Sequence, residues 1–165
     1  MRNRLTKKTN MKKIILTFTL VVSIVGALDA QKNAIGLRFG NGGEISFQTA
    51  LGSANRLELD LGLNNWNNNS GYAGFGLTGT YQWVWGLDKL APGFKWYLGL
   101  GPQLGSWNTN SYSGFALGIV GQVGLEYNFK IPLQLSLDYR PGWYVLPSNY
   151  GGIYDGIALG IRYKF

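Results

Sequence analysis

From Ile35 to Phe165 apolar and polar side chains alternate with a period of two, the spacing of strands whose two faces meet different surroundings. The final segment, 156–165, shows it best. Ile157, Leu159, Ile161, Tyr163 and Phe165 fall on one face, and Gly156, Ala158, Gly160, Arg162 and Lys164 on the other. A helix would send Leu159 away from Ile157 and Ile161, so the period selects a strand. Segments 34–40, 44–51, 56–63, 72–84, 94–105, 114–127 and 133–140 alternate in the same way. In the third, Leu57, Leu59, Leu61 and Leu63 oppose Arg56, Glu58, Asp60 and Gly62; in the fifth, Trp96, Leu98 and Leu100 oppose Tyr97, Gly99, Gly101 and Gln103. The pattern predicts eight strands and little else.

An amphipathic antiparallel sheet can close in two ways. A soluble barrel buries the apolar face; a membrane barrel turns it outward to lipid. The apolar face here carries more Leu, Phe, Trp and Tyr than a narrow lumen could pack, while the polar face is rich in glycine and poor in lysine. Glycine weakens a solvated strand but leaves room inside a narrow barrel. Charged residues are 14% of the chain, where soluble domains carry about 25%. The fold expected is an all-β, eight-stranded antiparallel up-and-down transmembrane barrel. A closed barrel also pairs every backbone N–H and C=O that lipid cannot satisfy. A small-molecule-binding soluble barrel is the alternative.

With both strand ends in the periplasm, the turns fall at 52–55, 86–93 and 128–132, and the outer loops at 41–43, 64–71, 106–113 and 141–155. Aromatics then gather at two heights, as amphipathic rings do at two headgroup layers. Trp83, Trp96, Tyr127, Phe129, Tyr163 and Phe165 lie near the periplasmic rim. Phe39, Trp66, Phe75, Trp107, Phe115, Tyr139, Trp143 and Tyr144 lie near the outer one. The stretch from Trp66 to Leu77 echoes that from Trp107 to Leu117 at an offset that places both copies at one height on consecutive outer loops.

The first 30 residues stand apart. Lys12 and Lys13 precede the apolar run Ile14–Val25, and small residues follow from Gly26 to Ala30, the three-part build of a secretory signal peptide. The run is shorter than the roughly 20 residues of a spanning helix. Cleavage is expected after Ala30, leaving 31–165 as the barrel, with cleavage after Ala27 as the alternative; either Met1 or Met11 can be the start. The leader holds six of the 15 basic residues and one of the 8 acidic ones, so the formal charge of +7 falls to +2 for the remainder. That removes the main argument for nucleic acid as a partner. There is no cysteine, so disulfides do not hold the fold.

The C-terminal run Gly156 to Phe165 resembles the last strand of outer-membrane β-barrel proteins, which alternates apolar residues and closes on a terminal aromatic. The whole chain after the leader looks like the small eight-stranded group that includes OmpX and the OmpA membrane domain, especially barrels of Bacteroidetes. The resemblance implies that Leu159, Ile161, Tyr163 and Phe165 form the signal read by the barrel assembly machinery. It further implies insertion in the outer membrane of a Gram-negative bacterium, against its lipids and lipopolysaccharide, as a monomer. The outer loops are shorter than those of OmpX, and no peptidoglycan-binding domain follows as in OmpA.

Histidine is absent, which counts against barrel enzymes that activate a nucleophile with imidazole. A carboxylate-based lipid-modifying enzyme would have to rely on Glu58, Asp60 or Glu126. No cofactor or metal is expected, since no His or Cys cluster exists. The polar face instead carries Arg38, Glu44, Arg56, Glu58, Asp60, Glu126, Asp138, Arg140, Arg162 and Lys164, five charges of each sign. In a narrow lumen such charges must pair, because an unpaired buried charge costs several kcal/mol. The expected function is a non-enzymatic structural or surface-contact role with a paired interior. A narrow porin-like channel for ions or small solutes is the alternative.

Overall fold

The computed structural model describes residues 32–40, 42–64, 74–108, 113–146 and 152–165. The eight strands are β1 (Asn33–Phe39), β2 (Gly43–Ala50), β3 (Asn55–Asn64), β4 (Gly74–Gly86), β5 (Phe94–Asn108), β6 (Ser113–Asn128), β7 (Leu133–Leu146) and β8 (Gly152–Lys164). Each pairs antiparallel with its neighbour in sequence, and β1 pairs with β8, so the sheet is a closed up-and-down barrel. The closing seam runs from Ala34 opposite Lys164 to Phe39 opposite Leu159. Backbone bonds between Asn33 and Phe165, 2.9 and 3.1 Å long, finish it at one end.

The period of two decides which way each side chain points. Ile45, Leu61, Leu100, Leu125, Leu137 and Leu159 are exposed, whereas Arg38, Ser46, Glu58, Thr80, Gln122 and Arg140 are buried. Among the described residues, no outward strand position carries a charge. A continuous apolar outer wall around a polar interior is the arrangement that lipid demands and water does not. A soluble barrel has the opposite polarity, so that alternative is set aside.

Several boundaries differ from the sequence reading. β7 continues past Arg140 through Pro141 to Leu146, and β8 begins at Gly152, so most of the expected loop 141–155 is strand. The sheet tolerates Pro141 because the β7–β8 register shifts between Tyr139 and Pro141. There β8 sets two residues against the single Arg140, with Gly156 at φ 71°. This two-against-one bulge needs the left-handed backbone that glycine adopts without strain. β5 likewise reaches Asn108 and β6 begins at Ser113, narrowing the expected loop 106–113.

Ring contacts concentrate at the end where β1 begins and β8 finishes. Trp85 stacks on Trp96 at 4.5 Å, Tyr127 meets Phe129 edge-on at 4.7 Å, and Tyr81 meets Trp83 edge-on at 5.1 Å. Tyr81, Trp85 and Phe94 thus join the belt expected there. Of the other belt, Trp143 is exposed at 63% but Tyr144 is only half-exposed, and Trp66 lies outside the described residues. The internal echo also falls partly outside them. Its described ends do share one height: Ser106 pairs with Phe115, and its hydroxyl accepts from the Phe75 N–H at 3.3 Å.

Candidate functional site

Inward parity brings long polar side chains from all eight strands into a lumen too narrow to hold them apart. They meet in three linked clusters. Nearest the end where β1 begins, Arg56 donates through Nη1 to Glu126 Oε2 and through Nε to Gln82 Oε1, both at 2.5 Å. Glu126 also accepts from Asn128 at 2.9 Å and from Gln134 at 3.1 Å. The Arg56 guanidinium lies over the Tyr97 ring, 4.6 Å from its centroid, a cation–π contact that burial of both side chains strengthens.

The middle cluster is built around Glu58, which is fully buried. Its carboxylate accepts from Arg162 Nη2 at 3.0 Å, from Arg140 Nη2 at 3.4 Å, from Gln122 Nε2 at 2.9 Å and from Gln48. Gln122 in turn accepts from Thr80 Oγ1 at 3.0 Å and Gln82 Nε2 at 2.8 Å, which ties this cluster to the first. Arg162 is spread further onto Ser46 at 2.9 Å and Ser136 at 2.7 Å. All three nitrogens of the Arg162 fork therefore find an acceptor.

In the third cluster two guanidiniums share one carboxylate. Arg38 and Arg140 both reach Glu44 Oε2, at 2.8 and 3.2 Å. Arg38 also holds Asp138 with Nε and Nη2, at 3.0 and 2.7 Å, and Arg140 holds Asp60. Tyr97 donates its hydroxyl to Asp138 Oδ2 at 3.2 Å. The ring of Tyr97 has room only because residue 124, beside it on β6, has no side chain. A Cβ on Gly124 would press into the tyrosine ring and lie 2.8 Å from the Asp138 Cβ.

Nine of the ten charged positions singled out from the sequence meet in these clusters. Lys164 does not: it lines the mouth of the barrel and makes no ion pair with a described residue. The paired interior is thus four arginines against five carboxylates rather than five against five. The alternation along segments 44–51, 72–84, 94–105 and 114–127 also puts Gln48, Gln82, Tyr97 and Gln122 on the inward face, where the sequence alone assigns them no role. The same alternation marked them, since a long polar residue at an inward position must bond to something.

Chemically the clusters behave as struts. Each carboxylate accepts from at least one guanidinium, with Asp60 Oδ1 left as the carboxylate oxygen that is buried and without a partner among the described residues. The side chains at mid-lumen are between 0 and 3% exposed. On the outer face of β8, Leu159, Ile161 and Tyr163 are exposed, and the Tyr163 and Phe165 rings lie nearly parallel at 6.5 Å.

No protein-family model matches the sequence, and no curated protein does. A crystal structure of Neisserial surface protein A (NspA) is similar to this chain, with a TM-score of 0.51 and 15% sequence identity, over 81% of this chain and 93% of that one. At that identity the likeness is one of fold.

Proposed function

We propose that residues 31–165 form a non-enzymatic integral outer-membrane barrel of a Gram-negative bacterium, a closed and rigid scaffold whose work lies in its structure or in what its outer loops touch. The reading rests on one observation above the rest. Glu58 sits in the middle of the lumen, fully buried between Arg140 and Arg162, where a conduit would need water. Breaking one buried ion pair costs about 3–5 kcal/mol, so a hydrated path through these clusters is opposed by several such terms.

In this reading residues 1–30 are a secretory leader removed after Ala30. Leu159, Ile161, Tyr163 and Phe165 carry the chain to the barrel assembly machinery. The outer wall meets membrane lipid and lipopolysaccharide, and the barrel works as a monomer with both strand ends in the periplasm. Two measurements test it. The detergent-folded protein should run faster on an unheated gel than after boiling, and planar bilayers that hold it should show no unitary current. Solubility without detergent and no mobility shift would overturn the membrane reading. Steady channel currents, altered by Glu58→Ala, would overturn the closed scaffold in favour of a narrow channel.

A further inference from the structure

The paired interior leaves out one end of the barrel. Where β1 begins and β8 finishes, below the Arg56–Glu126 pair, lies a half-open cavity of about 140 Å³. Lys32, Arg56, Lys95 and Lys164 line it, and the one acidic side chain among its lining residues is Glu126. Glu126 is already engaged by Arg56, Asn128 and Gln134. Lys95 and Lys164 take inward positions and hold no ion pair with a described residue. The lumen above this cavity carries one more carboxylate than arginine, whereas the cavity itself gathers an excess of positive charge.

Four buried polar atoms of residues lining the same cavity have no partner, two of them the amide nitrogen and oxygen of Asn33. Arg56 spends Nε and Nη1 on Gln82 and Glu126 but leaves Nη2 unsatisfied. Gln134 gives its amide N–H to Glu126 and leaves Oε1 unsatisfied. Buried donors and acceptors without protein partners are completed by water or by a ligand. Here the missing partners are acceptors for the Arg56 cation and the Asn33 amide N–H, and donors for the amide oxygens of Gln134 and Asn33, beside the ammonium groups of Lys95 and Lys164.

We propose that this mouth is a binding site for free inorganic phosphate. Such an anion brings charged oxygens for Arg56, Lys95 and Lys164. Its monohydrogen form also brings a P–OH, which can donate to Gln134 Oε1. Sulfate at neutral pH has no such hydrogen, and neither does the phosphodiester of a membrane lipid, so both satisfy the cations but not the glutamine. The site goes beyond the scaffold reading and is tested apart from it, because barrel closure is seen in gel mobility and the site in binding.

The test uses the full folded barrel in a phosphate-free nonionic detergent, titrated with inorganic phosphate by equilibrium dialysis. Saturable binding at a single site is expected. The double variant Lys95→Gln/Lys164→Gln should weaken it by about tenfold or more while keeping the heat-modifiable mobility, since two cationic contacts are lost. Lys89→Gln, in the turn after β4 and not among the residues that line the cavity, should bind as the unaltered protein does. Should the double variant fail to fold, rising chloride on the unaltered barrel supplies the second measure, with phosphate displaced as salt increases. The site is overturned by absence of saturable binding, which leaves a water-filled cavity, or by equal affinity in the folded double variant. It is also overturned if sulfate, or micelles doped with phosphatidylglycerol, compete as well as phosphate does.

Discussion

Arg162 Nη2 donates to Glu58 Oε2 at 3.0 Å across the lumen, joining β8 to β3, two strands that share no ladder. Backbone pairing alone fixes each strand only to its neighbours; this bond fixes opposite walls. Replacing Glu58 by Gln takes from the buried Arg162 its counter-charge, while Arg140 keeps Glu44 and Asp60. The expected loss is about 3–5 kcal/mol, read as a lower urea midpoint for unfolding from lipid vesicles. The paired replacement Arg162→Met/Glu58→Gln should lose less than the two single changes together, since it leaves fewer unpaired charges.

Tyr97 gives a second expectation. Gly124→Ala sets a methyl against the tyrosine ring and Asp138, and overpacking of this kind costs about 1–3 kcal/mol. Tyr97→Phe keeps the ring under Arg56 and removes only the bond to Asp138, for about 1 kcal/mol. The order of urea midpoints should therefore be unaltered protein, then Tyr97→Phe, then Gly124→Ala. Equal midpoints for Gly124→Ala and the unaltered protein would show that the ring is not confined as described.

Leu59 points outward from the middle of β3 and is 41% exposed. In water a change at such a surface position stays within about 0.5 kcal/mol. At the bilayer midplane an arginine on the lipid face costs about 2–4 kcal/mol. Leu59→Arg should show the larger loss in vesicles and leave the inward clusters unchanged. A loss below about 0.5 kcal/mol would mean that this wall does not face lipid.

The terminal aromatic separates assembly from stability. Removing Phe165 deletes one ring of the Tyr163 pair and the backbone bonds to Asn33, a small part of the whole ladder. Refolding into detergent should therefore survive. If Phe165 belongs to the assembly signal, the amount of barrel in the outer membrane should nonetheless fall severalfold in cells, measured by fractionation and the heat-dependent gel shift. Normal cellular levels would remove Phe165 from the signal.

Strand number, polarity and inward residues were legible in the sequence because one physical rule, the period of two, governs all three. Leu57 to Leu63 and Arg56 to Gly62 could not exchange faces without putting Glu58 in lipid. Strand ends were less legible. Pro141 reads as a terminator because it lacks an N–H, yet the bulge at Gly156 lets β7 run on to Leu146. Arg38 and Glu44 face each other across the first hairpin and pair, but partners on distant strands were not legible. Arg162 and Glu58 are 104 residues apart, and the slant of eight strands, not the alternation along any of them, decides that they meet. Lys164 shows the same limit from the other side: its parity is inward, but its height puts it at the mouth, past the last carboxylate it could have joined.

The short seam between β1 and β8 makes closure the last event the chain can complete. Ala34 cannot meet Lys164, nor Phe39 meet Leu159, until the final residues have been made, and a contact of such sequence separation carries a high entropic cost before it returns anything. Until then the partly formed sheet exposes two unpaired edges, each able to recruit a strand from another molecule. A chain built this way has to be held unfolded, and kept from its own copies, for the whole interval between synthesis and insertion.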